Sequence, residues 1–137
     1  MKIIISDKLP RIIKNKKQLQ EILKVKITNR GKEIKLEGSA ENEHTAEKVI
    51  DAINFGFHFS RAIQIKENDL LFEIISIKDY TKRKDLARIR ARIIGTKGKT
   101  LSTFVQLTKC FFEIKDNEVG IIGAPEVIQM ARNAVIS

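Results

Sequence analysis

Short runs in which hydrophobic and polar residues alternate recur along the chain, and they predict paired β-strands. One pair comprises residues 24–28 and 33–38, and a second pair comprises residues 110–114 and 118–123. The two pairs match in register 85 positions apart, which indicates an internal repeat. The matching residues are Ile34 with Val119, Leu36 with Ile121, and Gly38 with Gly123.

Helical periodicity flanks each strand pair. After the first pair, Ala46, Val49, Ile50 and Ile53 are spaced as one apolar face of a helix, and the second pair is followed by a similar segment. Two shorter helical segments precede each pair, and a strand-like run comes first in each copy. The predicted order is therefore β-α-α-β-β-α, twice, in an α+β fold.

The repeat divides the chain into three parts. Residues 1–54 form the first copy, residues 55–68 form a connecting helical segment, and residues 69–137 form the second copy. The connecting segment contains three phenylalanines, which we expect to pack in a core between the copies and not to stack on bases. They are Phe55, Phe57 and Phe59.

Positive charge is concentrated in two stretches of the sequence. The chain has 26 Lys+Arg and 17 Asp+Glu, a net charge of +9. Residues 82–99 carry eight bases and one acid, and residues 8–17 carry five bases and no acid, so the remainder is net −3. This distribution predicts a polyanionic partner, with a solvated lysine-rich face as the alternative. The bases of the first stretch, a predicted secondary basic patch, are Lys8, Arg11, Lys14, Lys16 and Lys17.

A glycine-flanked loop in the second basic stretch carries the candidate chemistry. The loop, Gly95-Thr96-Lys97-Gly98, lies between a predicted basic helix and the start of another helix. Glycines let a backbone approach a sugar-phosphate chain closely, and N–H groups at a helix start favour a phosphate. A KH domain uses such a GxxG loop to hold about four nucleotides of a single strand. The predicted RNA-binding residues are Arg88, Arg92, Ile94, Gly95, Thr96, Lys97, Gly98, Lys99 and Thr100.

Two other sequence features must be distinguished from this loop. Gly98-Lys99-Thr100 reads as the end of a nucleotide-binding P-loop, but that motif needs glycine where Ile93 stands. Nucleotide hydrolysis is therefore disfavoured. A second GxxG, at residues 120–123, lies within an apolar strand and is not expected to bind RNA.

The ordered motifs resemble the second KH domain of the archaeal and eukaryotic ribosome-assembly KH proteins, the partner-of-Nob family and its small-subunit-processome relative. The resemblance covers most of the chain from about Lys24 onward. It implies two tandem type I KH domains packed as one compact body. The segments that carry it are residues 95–100, 107–108, 119–123 and 130–132, with 56–57, 62, 69–73 and 77–80 upstream.

The resemblance also implies a function. Family members bind the single-stranded 3′ region of small-subunit rRNA during ribosome maturation and are not enzymes. A Nob-like endonuclease and the alpha subunit of translation initiation factor two are the candidate protein partners. The alternative is a protein–protein adaptor in ribosome assembly or translation initiation, in which the first copy is the working surface and RNA binding is weak.

This sequence departs from the family pattern at several points. The first copy has no GxxG, and we place the equivalent loop within residues 10–17, where Pro10 would stiffen it. Lys109 replaces a common family glycine. Family chains continue beyond the last helix with a basic tail, whereas this sequence stops at Ser137, so no role of that tail is predicted.

The remaining reactive side chains predict no catalytic or metal chemistry. Cys110 is expected to be a buried core thiol, and Arg132 to be an ion-pair partner. His44 and His58 have no metal-ligand spacing, so neither a cofactor nor a metal site is expected. The sequence contains no secretory signal and no membrane-length apolar run, which predicts a cytoplasmic protein without a membrane partner.

Overall fold

The computed structural model describes residues 1–76 and 110–136 of the chain, which belong to two units, Met1–Leu70 and Leu71–Ser137. The predicted RNA-binding residues between 88 and 100 lie outside the described residues. No helix within the described ranges combines the length and apolar character needed to cross a membrane.

The first unit has the predicted order of elements. Its three strands form one antiparallel sheet in the order β1-β3-β2, so the first and second strands are both edge strands. Two short helices follow the long third helix and occupy the connecting segment. The elements are β1 (Lys2–Ile5), α1 (Leu9–Lys14), α2 (Lys16–Leu23), β2 (Lys26–Arg30), β3 (Glu33–Glu37), α3 (Ala40–Phe55), α4 (Phe59–Ala62) and α5 (Gln64–Glu67).

Apolar and polar residues alternate along the strands, and the apolar ones form the core of this unit. Ile34 and Leu36 on β3 are fully buried, whereas Glu33, the first residue of β3, is exposed. Apolar faces of α2 and α3 pack against the sheet and are also buried, as the helical periodicity predicts. Buried residues on these two helices include Leu19, Leu23, Ala46, Val49, Ile50 and Ile53.

Helix α3 has well-defined ends. Ser39 is its N-cap, and the Ser39 hydroxyl accepts a hydrogen bond from the Asn42 N–H at 3.1 Å. The helix ends at Gly56, whose φ of 137° suits glycine. Phe55 and Phe57 flank that glycine and are buried, with ring centroids 6.2 Å apart. Their burial fits core residues better than a stacking platform for bases.

The second unit repeats the sheet. Its strands, β4 (Leu71–Ser76), β5 (Phe111–Lys115) and β6 (Glu118–Gly123), form an antiparallel sheet in the order β4-β6-β5, followed by helix α6 (Pro125–Ile136). Cys110 is fully buried and belongs to the core of this unit, which confirms the predicted core thiol. The core also contains Ile75, Val119, Ile121 and Ile128.

The strand registers align the two units residue by residue. Ile4 lies opposite Ile34 in the first sheet, and Ile75 lies opposite Val119 in the second. First-strand residues therefore correspond 71 positions apart, whereas third-strand residues correspond 85 positions apart. The second unit consequently has 14 more residues between its first two strands. The strongly basic residues 82–99 fall within that longer segment.

Two matching glycines are required by close packing. An added Cβ at Gly123 would lie 2.9 Å from Cys110 Cβ, and one at Gly38 would lie 2.9 Å from Val25 Cγ1. Gly123→Ala is expected to reduce the free energy of unfolding by about 1–3 kcal/mol, because Cys110 Cβ cannot rotate away. Gly38→Ala should act in the same direction. Urea unfolding measures both, and an unchanged midpoint for Gly123→Ala would show that the backbone yields freely there.

Candidate nucleic-acid interface

The candidate clamp is placed by the sequence between two described strands. Gly95 and Gly98 fall between the end of β4 and the start of β5. In the first unit, the corresponding place between β1 and β2 is taken by α1 and α2. The first unit therefore shows what the equivalent region looks like when no GxxG is present.

Helices α1 and α2 of the first unit meet at a single residue, Asn15. This junction lies within residues 10–17, where a loop was predicted, but Pro10 lies in the first turn of α1 and Lys16 begins α2, so the junction is one residue long. Proline suits a first turn because the N–H that it lacks would have no partner there. Pro10 thus starts a helix and does not stiffen a loop.

Two donor groups of Asn15 are already used within the helices. The Asn15 N–H donates to the Ile12 carbonyl oxygen at 3.2 Å, and the side-chain Nδ2 donates to the Arg11 carbonyl oxygen at 2.9 Å. A GxxG clamp needs several residues of close-approaching backbone, which one residue cannot supply. The first unit therefore lacks the geometry of a single-strand clamp.

A side-chain contact also joins α2 to the edge of the first sheet. Strand β2 is an edge strand, so part of its backbone faces away from β3. The Ile27 N–H is one such group, and it donates to Gln20 Oε1 at 2.9 Å. Because Gln20 already satisfies this amide, an incoming strand or base cannot use it without breaking that bond.

The predicted secondary basic patch lies on α1 and α2. Arg11, Lys14 and Lys17 are exposed, whereas Lys8 and Lys16 are half-buried. Arg11 Nη1 donates a long, weak hydrogen bond of 3.5 Å to the Gly56 carbonyl oxygen. None of the five bases forms an ion pair with an acidic group in residues 1–76 or 110–136. Within the described part of the chain, the positive charge of the patch is therefore not neutralised by ion pairs.

The structure also locates the arginine and the two histidines that the sequence analysis considered. Arg132 pairs with Glu73, which confirms the predicted ion pair. His58 is the N-cap of α4, and its Nδ1 accepts from the Ser60 N–H at 3.1 Å. His44 is exposed on α3. No group of three His, Cys, Asp or Glu side chains in the described part of the chain could hold a metal ion.

Comparison with protein families identifies the second unit. Residues 71–137 match the family model of the second KH domain of PNO1, a eukaryotic type KH domain (KH-domain type I). A KH domain-containing protein of Methanocaldococcus jannaschii is 31% identical over 91 residues, 66% of this chain and 40% of that protein. RNA-binding protein pno-1 of Caenorhabditis briggsae is 28% identical over 124 residues, 84% of this chain and 45% of that protein. The chain thus spans less than half the length of these relatives.

Solved structures are similar over nearly the whole chain. The crystal structure of Dim2p from Pyrococcus horikoshii has a TM-score of 0.83 and 26% identity, and covers 98% of this chain and 87% of Dim2p. Dim2p in an a/eIF2alpha-aDim2p-rRNA complex from the same organism has a TM-score of 0.84 and 26% identity, with 98% and 82% coverage. The described residues therefore have the α+β, KH-like fold of a protein that has been crystallised with RNA.

Proposed function

We propose that this chain, whose residues 71–137 belong to the type I KH domains of the PNO1 kind, binds single-stranded RNA during maturation of the small ribosomal subunit. The observation that carries the proposal is that the matched residues contain Gly95 and Gly98 with two lysines beside them. This domain type and this motif are the combination that holds single strands. The RNA proposed is the 3′ region of small-subunit rRNA.

The chemistry of the clamp follows from the loop sequence. The two glycines lack side chains that would keep a sugar-phosphate backbone away. Lys97 and Lys99 supply positive charge to phosphates, and Arg88 and Arg92 extend that charge along the strand. These contacts hold the backbone and carry no base preference of their own, so any sequence preference comes from base-edge contacts.

We further propose that the first unit is a second KH domain that has no clamp. Its strand order and register equal those of the second unit, which supports a tandem arrangement with a connecting helical segment at residues 55–68. The one-residue junction at Asn15 supports the absence of a clamp. In this assignment the first domain comprises residues 1–54 and the second comprises residues 69–137.

The basic patch on α1 and α2 gives the first unit a different role. Its charge attracts phosphates of structured rRNA or an acidic protein surface without gripping a single strand. The a/eIF2alpha and rRNA in the Dim2p complex support the alpha subunit of translation initiation factor two and small-subunit rRNA as partners. A Nob-like endonuclease is a third proposed partner. In this proposal the protein is a non-enzymatic, cytoplasmic assembly factor.

Titration with a panel of short single-stranded RNAs, with ATP in parallel, tests the proposed function. We expect saturable binding to at least one single strand, weaker binding to a duplex of the same sequence, and neither binding nor hydrolysis of ATP. ATP hydrolysis, or equal affinity for all RNAs and the duplex, would contradict the clamp. Tight binding to a partner protein with no RNA affinity would favour the adaptor function.

Salt dependence measures how much of the affinity comes from phosphate contacts. If about three to five phosphates are neutralised, log K against log salt should have a slope of roughly −2 to −3.5, since each phosphate contributes about −0.7 for a single strand. Fluorescence anisotropy between low and moderate salt measures this slope. A slope shallower than about −1 would mean that the basic residues 82–99 are only solvated surface.

A further inference from the structure

The two edge strands of the first sheet differ in how well they are protected. At the β2 edge, Gln20 already bonds the outward Ile27 N–H, and the exposed Lys26 adds a charge. Bonded backbone groups and charged side chains are ordinary means by which an edge strand avoids pairing with another chain. The β1 edge instead presents Ile3 and Ile5, whose side chains are 57% and 70% exposed.

The backbone of β1 directs the same two residues outward. The Ser6 N–H donates to the Lys32 carbonyl oxygen at 2.9 Å, so Ser6 is bonded to the side of β3. Bonded and non-bonded pairs alternate along an antiparallel ladder. Ile4 therefore bonds to β3, whereas the N–H and carbonyl groups of Ile3 and Ile5 face away from it. Within residues 1–76 and 110–136, no backbone group bonds to these outward groups.

The β1 edge is complementary to a second copy of itself. If Ile4 lies opposite Ile4 of another copy, Ile3 of each copy lies opposite Ile5 of the other, and four N–H···O bonds join the strands. The four isoleucine side chains then lie side by side and leave water. Lys35 lies beside Ile3 and Glu33 lies beside Ile5 in each sheet, so every row across the two sheets ends in opposite charges.

Charges on the helix side of this edge also favour a second copy. Asp51 stands one turn after Glu47 on α3, and burial together with the Glu47 charge raises the pKa of Asp51 above its ordinary value. Lys2 Nζ lies 3.2 Å from Glu47 Oε2. The two-fold register places Lys2 of the other copy opposite Ser6, whose hydroxyl donates to Asn54, the next turn of α3. A second ammonium group would thus approach the turn of α3 that carries Asp51.

We propose that two copies of this chain associate through the β1 edge, with their β1 strands antiparallel and centred on Ile4. The two first sheets then form one sheet of six strands. The association is two-fold symmetric, because the same residues of both copies meet. The contact is short compared with a permanent interface, so we expect a dimer that forms at high protein concentration and dissociates on dilution. Association of this kind needs no RNA.

Sedimentation equilibrium of the full chain without RNA tests the proposal. We expect the average mass to rise from that of a monomer toward that of a dimer as concentration increases. Ile3→Lys with Ile5→Lys should weaken association by about tenfold or more, because four ammonium groups would meet at the paired edges. Both side chains are exposed, so the circular dichroism spectrum should be unchanged.

A matched control adds the same two charges at the other edge of the sheet. Thr28→Lys with Asn29→Lys lies on β2 and should associate like the unmodified chain. An unmodified chain that stays monomeric at every concentration would overturn the proposal. So would a β1 variant that still associates, or a β2 variant that loses association to the same degree.

A cysteine on the two-fold axis tests the register. Ile4→Cys should form a disulfide-linked dimer under mild oxidation, because opposite Cβ atoms in a non-bonded pair lie about 4.5–5.5 Å apart. Asn29→Cys on β2 should stay monomeric, and the native Cys110 is buried in both variants. Equal cross-linking at both positions, or none at Ile4→Cys, would contradict pairing centred on Ile4.

Discussion

Replacing Thr96 and Lys97 together by aspartate is expected to weaken binding of single-stranded RNA about tenfold or more, a loss of about 1.4 kcal/mol or above. The two carboxylates would stand where the proposed clamp receives a phosphate, and like charges repel. Because the proposed clamp is a surface loop, folding should survive the change, and the circular dichroism spectrum should be unchanged. Anisotropy titration with a short RNA measures the effect.

A matched variant separates local repulsion from a change in net charge. Asn29→Asp with Lys32→Asp makes the same charge change at exposed residues around the Gly31 turn of the first unit. This control should lose no more than about twofold, because it makes the same change in net charge without placing carboxylates in the proposed clamp. Unchanged RNA affinity in a folded Thr96/Lys97 variant would end the assignment of residues 95–98 as the clamp.

Reversing three charges of the first unit should weaken binding to two kinds of RNA by different amounts. With Lys14, Lys16 and Lys17 changed to glutamate, binding to a short single strand should weaken only a few-fold, through long-range charge. Binding to a larger rRNA fragment, or to a Nob-like partner, should weaken far more, because that surface is proposed to dock there. The three side chains form no ion pair within the described residues, so folding should not depend on them.

The control for this variant is a second triple reversal in the same unit. Lys24, Lys26 and Lys32 are exposed and lie outside the basic patch, on and beside β2. Changing them to glutamate makes an equal charge change and should leave most of the binding to the rRNA fragment. If the Lys14/Lys16/Lys17 variant loses the short RNA as fully as the Thr96/Lys97 variant, the two units share one groove and the division of labour is wrong.

Periodicity in the sequence was sufficient to predict the strands and the long helices. Ile34, Leu36, Val119 and Ile121 alternate with polar or small residues and are all fully buried. Their spacing of 85 positions corresponds to the same register in both sheets. These features could be predicted because each depends on residues near one another in the chain.

The length of the α1–α2 junction could not be predicted in the same way. A loop was expected within residues 10–17, and the junction lies there, but it consists of Asn15 alone. The stretch has no glycine and Ile12 is buried, and both facts favour helix over loop. The sequence pattern therefore contained a signal that helix occupies most of this stretch.

Contacts between residues far apart in the sequence could not be predicted from sequence patterns. The Lys2–Glu47 pair and the Gln20 contact with the Ile27 N–H depend on how a strand and a helix pack together. Periodicity shows which face of a helix is buried, but it does not show which charged residue on another element lies opposite. The Lys2–Glu47 pair could therefore be identified only from the structure.

The central claim is that the second unit grips single-stranded RNA while the first does not. The most direct test is an NMR titration of the isotope-labelled full chain with a short single-stranded RNA. We predict that the largest amide shifts occur at Gly95, Thr96, Lys97 and Gly98, with small shifts at Asn15 and along α2. Largest shifts at Asn15, Lys16 and Lys17, with residues 95–98 unchanged, would contradict the claim.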